Sequence, residues 1–355
     1  MPSPLNIVCR LLPARCISAI VGISIALATG IIMGTPPSQP DAPQADSPQG
    51  TIRSTVQLVV VPVTVKAPNG DLVAGISREE FRVFEDGVEQ QISSFSSDAS
   101  PISAVLLVDD DMYTKPAEEV QKSLESMAGG FSALDEVAVA KFDAFYTPVL
   151  DFTMDKDQLS TELKKLTLNS STPGVGSDPM TSGPTINNHP APGTDIPGQG
   201  ATRGLPTKRI DDAIHAAAEA LRGRDPQQRK VIFIVSDGLN ARNNTYSYED
   251  TLRLLLSSDI SVYAVGVDAA ILNRVKSVLA RYAHATGGDI FYAARGAALS
   301  DIYSNAAERA RYQYTIGYVP AGTDRAQNYH AIEVRVRRPG LSLLARDGYY
   351  LVAPQ

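Results

Sequence analysis

The chain is predicted to be an α/β protein: a doubly wound, mostly parallel sheet inserted in a small all-β domain that the N- and C-terminal flanking strands form together. Three observations predict it. Two apolar runs stop abruptly on aspartate, AVLLVDDDMYT at 104–114 and KVIFIVSDGLN at 230–240. Buried parallel strands read this way, and they deliver their carboxylates to the carboxyl edge of the sheet, where ligands bind. Between 102 and 310 strand-like and helix-like segments alternate, the pattern of βαβ units with helices on both faces. On either side the sequence turns to short Val, Leu, Phe and Tyr runs punctuated by turn dipeptides. Each flank is too short for a stable sheet of its own, so 52–100 and 311–355 are expected to pair as one β domain around an α/β domain at 101–310.

The N-terminus has a different character. Arg10 and Arg15 precede an uncharged apolar stretch at 16–34, which breaks into Pro, Ser and Gln. Basic, then apolar, then polar is the order of an export signal. Its length suits either a signal peptide or an N-terminal membrane anchor within 1–34, and the positive-inside rule leaves the body outside the cytoplasm. The expected location is therefore periplasmic or at the cell surface, with the membrane held through this segment. Residues 35–51 are rich in Pro, Gln, Ser and Asp and are expected to form a disordered tether. Both cysteines, Cys9 and Cys16, lie in this leader, so the body has no thiol for a disulfide, a soft metal site or a nucleophile. A net charge of −7 without a Lys/Arg block excludes a nucleic-acid partner.

In the first flank, Asn69-Gly70 and Asp86-Gly87 mark tight turns, and Pro62 marks an edge or a bulge in the first strand. Strands are expected near 103–109, 136–142, 230–236, 260–267 and 289–292, with an edge strand near 147–152. Helices are expected near 116–128, 155–166, 209–222, 247–257, 270–286 and 296–310. Residues 167–206 are dominated by Ser, Thr, Pro, Gly and Asn. They read as a long flexible loop, of the kind that is either disordered or functional, and it ends at Thr207 beside the aspartate-bearing edge. In the second flank Tyr312, Tyr314 and Tyr318 alternate as sheet-face packing. His189, His215, His284 and His330 lack metal spacing, and His215 and His284 read as helix-surface or packing residues. Asp211-Asp212 read as a helix entry.

An apolar strand ending in aspartate, a second ending VSDG, and a threonine before RIDDAIHAAAEAL together resemble a von Willebrand factor type A (vWA) domain with its metal-ion-dependent adhesion site. The flanks VTVKAPNGDLVAGISREEFRVFEDGVEQQISSF, YTIGYVP and VRVRRPGLSLLARDGYY are similar to those of the vWA-related family of exported proteins known from Acidobacteria. The resemblance covers roughly 55–353. It implies a non-enzymatic, protein-binding adhesion module. Asp109 stands at the family's first aspartate, Asp237 at its last, and Thr207 at its threonine, one residue further from Asp212 than the family spacing. Both family serines are replaced, by Asp111 and Tyr113, so the site is an altered one.

Asp109, Asp111 and Asp237, with Thr207, would give an all-oxygen set suited to Mg²⁺, Mn²⁺ or Ca²⁺. The other reading is that these aspartates cap neighbouring helices and bind nothing. With a cation, the site would bridge to an acidic group on an extracytoplasmic protein ligand. Without one, the same face would bind by shape, or the module would be structural within an envelope assembly. DDDMY also resembles the Asp-x-Asp-x-Thr motif of haloacid-dehalogenase-type phosphatases, with Ser236 at their second motif. Against that stand Tyr113 in the threonine position, the absence of a later acidic metal motif, and the β flanks. No Ser/His/Asp triad or phosphate-cradling loop offers another enzymatic route.

Overall fold

The computed structural model describes residues 58–171, 185–186, 189–190, 207–272, 274, 277–293, 299–321 and 328–351. The expected leader at 1–34, the tether at 35–51 and most of the 167–206 loop lie outside the described residues. Among those described, no helix is long and apolar enough to cross a membrane.

Four strands come first: β1 (Val59–Lys66), β2 (Phe81–Glu85), β3 (Val88–Gln90) and β4 (Ile92–Ser96). Next are β5 (Ile102–Asp109), β6 (Met112–Tyr113), α1 (Thr114–Met127), β7 (Glu136–Phe142), β8 (Tyr146–Thr153), α2 (Lys156–Lys165) and the short β9 (Ser170–Ser171), β10 (Thr185–Ile186) and β11 (His189–Pro190). The second half holds α3 (Ile210–Arg222), β12 (Arg229–Ser236), α4 (Tyr248–Ser257), β13 (Ile260–Gly266), α5 (Ala269–Leu272), α6 (Val278–Ala285), β14 (Ile290–Tyr292) and α7 (Leu299–Arg311). Last are β15 (Tyr314–Tyr318), β16 (Tyr329–Val336), β17 (Ser342–Ala345) and β18 (Gly348–Tyr350).

The central sheet runs β14-β13-β12-β5-β7-β8, parallel throughout except for β8. The expected strands and the antiparallel edge are present. Strands with no exposed face need apolar residues on both sides, and β5 is buried along its whole length. Ile102, Ala104, Leu106 and Val108 join a core containing residues of α1, α2 and α7, while Val105 and Leu107 join one containing residues of α3, α4 and α6. Counted in chain order, the six strands lie 6-5-4-1-2-3. The order reverses between β5 and β12, the switch point where open α/β sheets bind ligands.

One expected helix is corrected. The described residues of 270–286 form two helices, α5 and α6, with Ser277 in extended backbone (ψ 130°) immediately before α6. Tyr314 and Tyr318 are buried as strand-face packing, but Tyr312 precedes β15 and is exposed.

The flanks pair as two antiparallel sheets, β17-β1-β15-β4 and β18-β16-β2-β3, each mixing strands from both ends of the chain. Between them pack Val59, Val61, Val63 and Val65 of β1 with Phe81, Val83, Ile316, Tyr318 and Ile332. Asp86 and Gly87 take φ of 50° and 82° in the two-residue turn that closes β2 on β3, as an Asp-Gly hairpin requires. Pro62 lies where β1 has only β15 beside it, since β17 pairs with 63–66. One side of the strand is therefore free of a ladder partner at Pro62, the kind of edge position where proline is tolerated.

The β layer grips the base of the α/β layer through a corner after α6. A Cβ on Gly288 would lie 1.9 Å from the Val262 carbonyl oxygen. That closeness lets Asp289 turn in to pair with Lys66 of β1 at 3.2 Å and Arg309 of α7 at 2.6 Å. Gly288→Ala is expected to lower the unfolding free energy by about 3 kcal/mol. Gly129→Ala, where a Cβ meets nothing within 4 Å, should change it by less than about 0.5 kcal/mol. Urea unfolding of both variants checks the pair.

Candidate functional site

β5 and β12 are neighbours in register, Val108 opposite Val235, so the residues that end them meet at the switch point. Asp109 and Ser236 are fully buried and Asp237 almost so. Ser236 Oγ donates to Asp109 Oδ2 at 2.6 Å, and the Asp111 N–H donates to Asp109 Oδ1 at 2.9 Å. The Leu239 N–H donates to Asp237 Oδ1 at 3.0 Å.

Between the two carboxylates stands the ammonium of Lys208, 2% exposed. Its Nζ donates to Asp109 Oδ2 at 2.9 Å and Oδ1 at 3.2 Å, and to Asp237 Oδ1 at 3.0 Å. Burial alone would lower the lysine's pKa, but the charges of Asp109 and Asp237 outweigh it and hold the ammonium above the ordinary value. Burial pushes the Asp237 carboxyl up to about 6, against the opposing pull of Lys208. Two carboxylates and one ammonium leave the buried trio with an excess negative charge, and a proton on Asp237 removes it.

Of the four residues expected as metal ligands, Asp109 and Asp237 share one cation. Thr207 and Asp111 pair with each other instead, Thr207 Oγ1 donating to Asp111 Oδ2 at 2.7 Å. Lys208 was not foreseen, although its signal was in the spacing. Thr207 stands one residue further from Asp212 than the resemblance led one to expect, and the residue one place nearer is Lys208.

The backbone around the lysine is clamped. The Ala241 N–H donates to the Lys208 carbonyl and the Arg209 N–H to the Asp143 carbonyl, both at 2.8 Å. Asn240 Oδ1 accepts from the Ile210 N–H at the start of α3, and Asn240 Nδ2 donates to Asp211. Asp212, in the first turn of α3, accepts from the Thr245 and Tyr246 N–H groups. The helix-entry aspartates thus tie the 237–246 loop to α3. Asp110, buried beside the site, takes Asn169 and Lys141. His215 stacks on Tyr246 with ring centroids 3.6 Å apart, and His284 lies on the surface, in keeping with the packing and surface readings.

A divalent cation held by the same oxygens would need roughly 2.0–2.6 Å to each, a position the Lys208 ammonium already fills. As arranged, the site does not fit a metal. Among the described residues, the group of three or more acidic or histidine side chains whose donor atoms lie within 4.8 Å of one another is elsewhere: Glu85, Asp86 and His330, in the β layer. His330 Nδ1 is 2.7 Å from Asp86 Oδ2 and 3.9 Å from Glu85 Oε1, and Glu85 also accepts from the Tyr318 and Tyr349 hydroxyls. Sequence spacing missed it because 244 residues separate Asp86 from His330.

No protein-family model and no curated protein matches the chain. Solved structures do. Proximal thread matrix protein 1 from the mussel byssus is 12% identical with a TM-score of 0.41, over 61% of this chain and 49% of that one; the chain spans about half that protein's length. Another structure of it has a zinc-occupied MIDAS motif. The conserved hypothetical protein BatB from Bacteroides thetaiotaomicron is 12% identical with a TM-score of 0.39, over 59% and 98%. A von Willebrand factor type A protein from Catenulispora acidiphila is 10% identical with a TM-score of 0.42, over 82% and 73%. The architecture itself is mixed α/β, a mostly parallel sheet flanked by helices and by antiparallel sheets, and likenesses this remote carry no argument about family. At these identities function has to be read from the site's own side chains.

Between roughly pH 4 and 6 the folded chain holds a proton on Asp237 that the unfolded chain has lost. The contribution of this group to stability therefore falls as pH rises through that window, by at most ~1.4 kcal/mol per pH unit. Asp237→Asn should remove the slope. Denaturation midpoints of both proteins across pH 4–7 check it, and parallel curves would contradict it.

Proposed function

We propose that the protein is an exported, membrane-tethered, non-enzymatic binding module whose working face is the carboxyl end of the parallel sheet and whose partner is an extracytoplasmic protein. The observation that carries this reading is the Asp109, Lys208 and Asp237 cluster. It joins the ends of two strands to the 207–209 segment, and neighbouring bonds fix the 237–246 loop, so the loops at that end form one held surface. Phe145 and Tyr246, in the loops after β7 and β12, and Leu272, the last residue of the short α5 after β13, lie at this same end and are 74%, 42% and 82% exposed, an apolar contribution of the kind protein interfaces use. The segment at 16–34 supports export and tethering.

Chemistry at this edge is disfavoured by the burial of Asp109. A phosphatase would need it as a nucleophile, yet it is wholly enclosed and bonded to Ser236, Lys208 and the Asp111 N–H. Adhesion through Mg²⁺, Mn²⁺ or Ca²⁺ bridging Asp109 and Asp237 to a partner's acid is the second reading. The shared position of the two carboxylates favours it, and it requires Lys208 to leave.

The test is capture of partners from a cell-envelope extract with the full-length protein, followed by affinity measurement on each purified candidate. Phe145→Asp with Tyr246→Asp should weaken a true partner by at least about tenfold. Leu134→Asp, an exposed position at the opposite end of the sheet, should leave it unchanged. Equal effects of the two changes would move the binding face elsewhere.

A further inference from the structure

We infer that Lys208 is the resident cation of the switch-point site, an ammonium built into the chain in the place a divalent metal would take, so that the site holds its shape without any ion.

Saturation of the acceptors carries this inference. A carboxylate offers about four lone-pair directions, two on each oxygen. On Asp109, Oδ1 accepts from the Asp111 N–H and Lys208, and Oδ2 accepts from Ser236 Oγ and Lys208. All four are taken. Asp237 Oδ1 likewise accepts from both the Leu239 N–H and Lys208. A metal entering here would have to displace the ammonium and break these bonds together.

The lysine is held from behind as well. Its carbonyl accepts from Ala241, and the next residue's N–H is bonded to the Asp143 carbonyl, so the side chain enters the site from a backbone fixed on both sides. Swinging it out would strand two buried carboxylates, and an unpaired buried charge is among the costliest states in a folded protein. The remaining predicted ligands bond to each other, Thr207 Oγ1 donating to Asp111 Oδ2. Lysine supplies one positive charge with three donors on a flexible stem, enough to hold the edge together but with no open coordination position for a partner's carboxylate. For the binding function proposed above, on which this last step rests, capture is then independent of divalent cations.

The test uses the full-length protein and needs no partner, so the ammonium lock and the binding reading can fail separately. Amine acetylation followed by peptide mass spectrometry reads the lysine directly. Lys208 should react at least about tenfold more slowly than exposed Lys115 and Lys156, equally in EDTA and in excess Mg²⁺ or Mn²⁺. Calorimetry should show no saturable uptake of Mg²⁺, Mn²⁺ or Ca²⁺ that Asp109→Ala abolishes. Lys208→Ala, which empties the position and keeps both aspartates, should gain uptake of about one Mn²⁺ per chain and a higher melting temperature with the ion than without it. Labelling of Lys208 that speeds up when the ion is added, or uptake by the unaltered protein that Asp109→Ala abolishes, would overturn the inference. So would a folded Lys208→Ala that takes up no ion. If that variant does not fold, the labelling of the unaltered protein decides.

Discussion

Two carboxylates are forced together at the centre of this molecule, and much of the binding edge is arranged around that fact. β5 and β12 are parallel neighbours in fixed register, so Asp109 and Asp237, which end them, lie side by side out of water. Like charges at such separations repel strongly where the dielectric is low. The chain answers with Lys208, and the answer has structural consequences. The residues around the lysine must be pinned for its side chain to reach inward, which the 143 and 241 backbone contacts accomplish. The loop after β12 must stay close, which Asn240 and Asp212 ensure through α3. Charge compensation and loop order are thus one arrangement.

The opposite end of the sheet obeys a different constraint. β5 begins and α7 ends beside each other, the Ser100 N–H bonding to the Arg311 carbonyl at 3.3 Å. The α/β layer can therefore be inserted between strands of a single β sandwich without stretching either connection. Asp289, clasped by Lys66 and Arg309, and Arg229, partly buried and bonded to Gln313 and Thr315, fasten the two layers there. Burial lowers the pKa of Arg229 to about 10, so it remains charged near neutrality. With the β layer fixed at the base, the carboxyl edge is left uncovered by it, and the exposed apolar side chains of that edge remain available.

The architecture was legible because each signal for it is local. Apolar runs without alternation gave strands buried on both faces, and β5 is one. Asp-Gly gave a hairpin, and its φ values are those of one. Where local signals competed, the reading slipped: Ser277, inside a helical apolar pattern, stands in extended backbone immediately before a second helix. The acids of the site were legible as strand ends. That Asp111 would turn to Thr207 was not, nor that His330 would meet Glu85 and Asp86, because such contacts depend on where distant strands are placed.

By itself the sequence determined the order of strands and helices, the pairing of the two flanks and the delivery of Asp109 and Asp237 to one edge. These follow from periodicity, turn chemistry and the short reach of the chain. The tertiary structure alone decided which cation stands between those aspartates. A lysine beside a threonine reads as a solvated charge until the fold brings two buried carboxylates within 3.2 Å of it. Desolvation then makes an internal ion pair the state of lowest free energy.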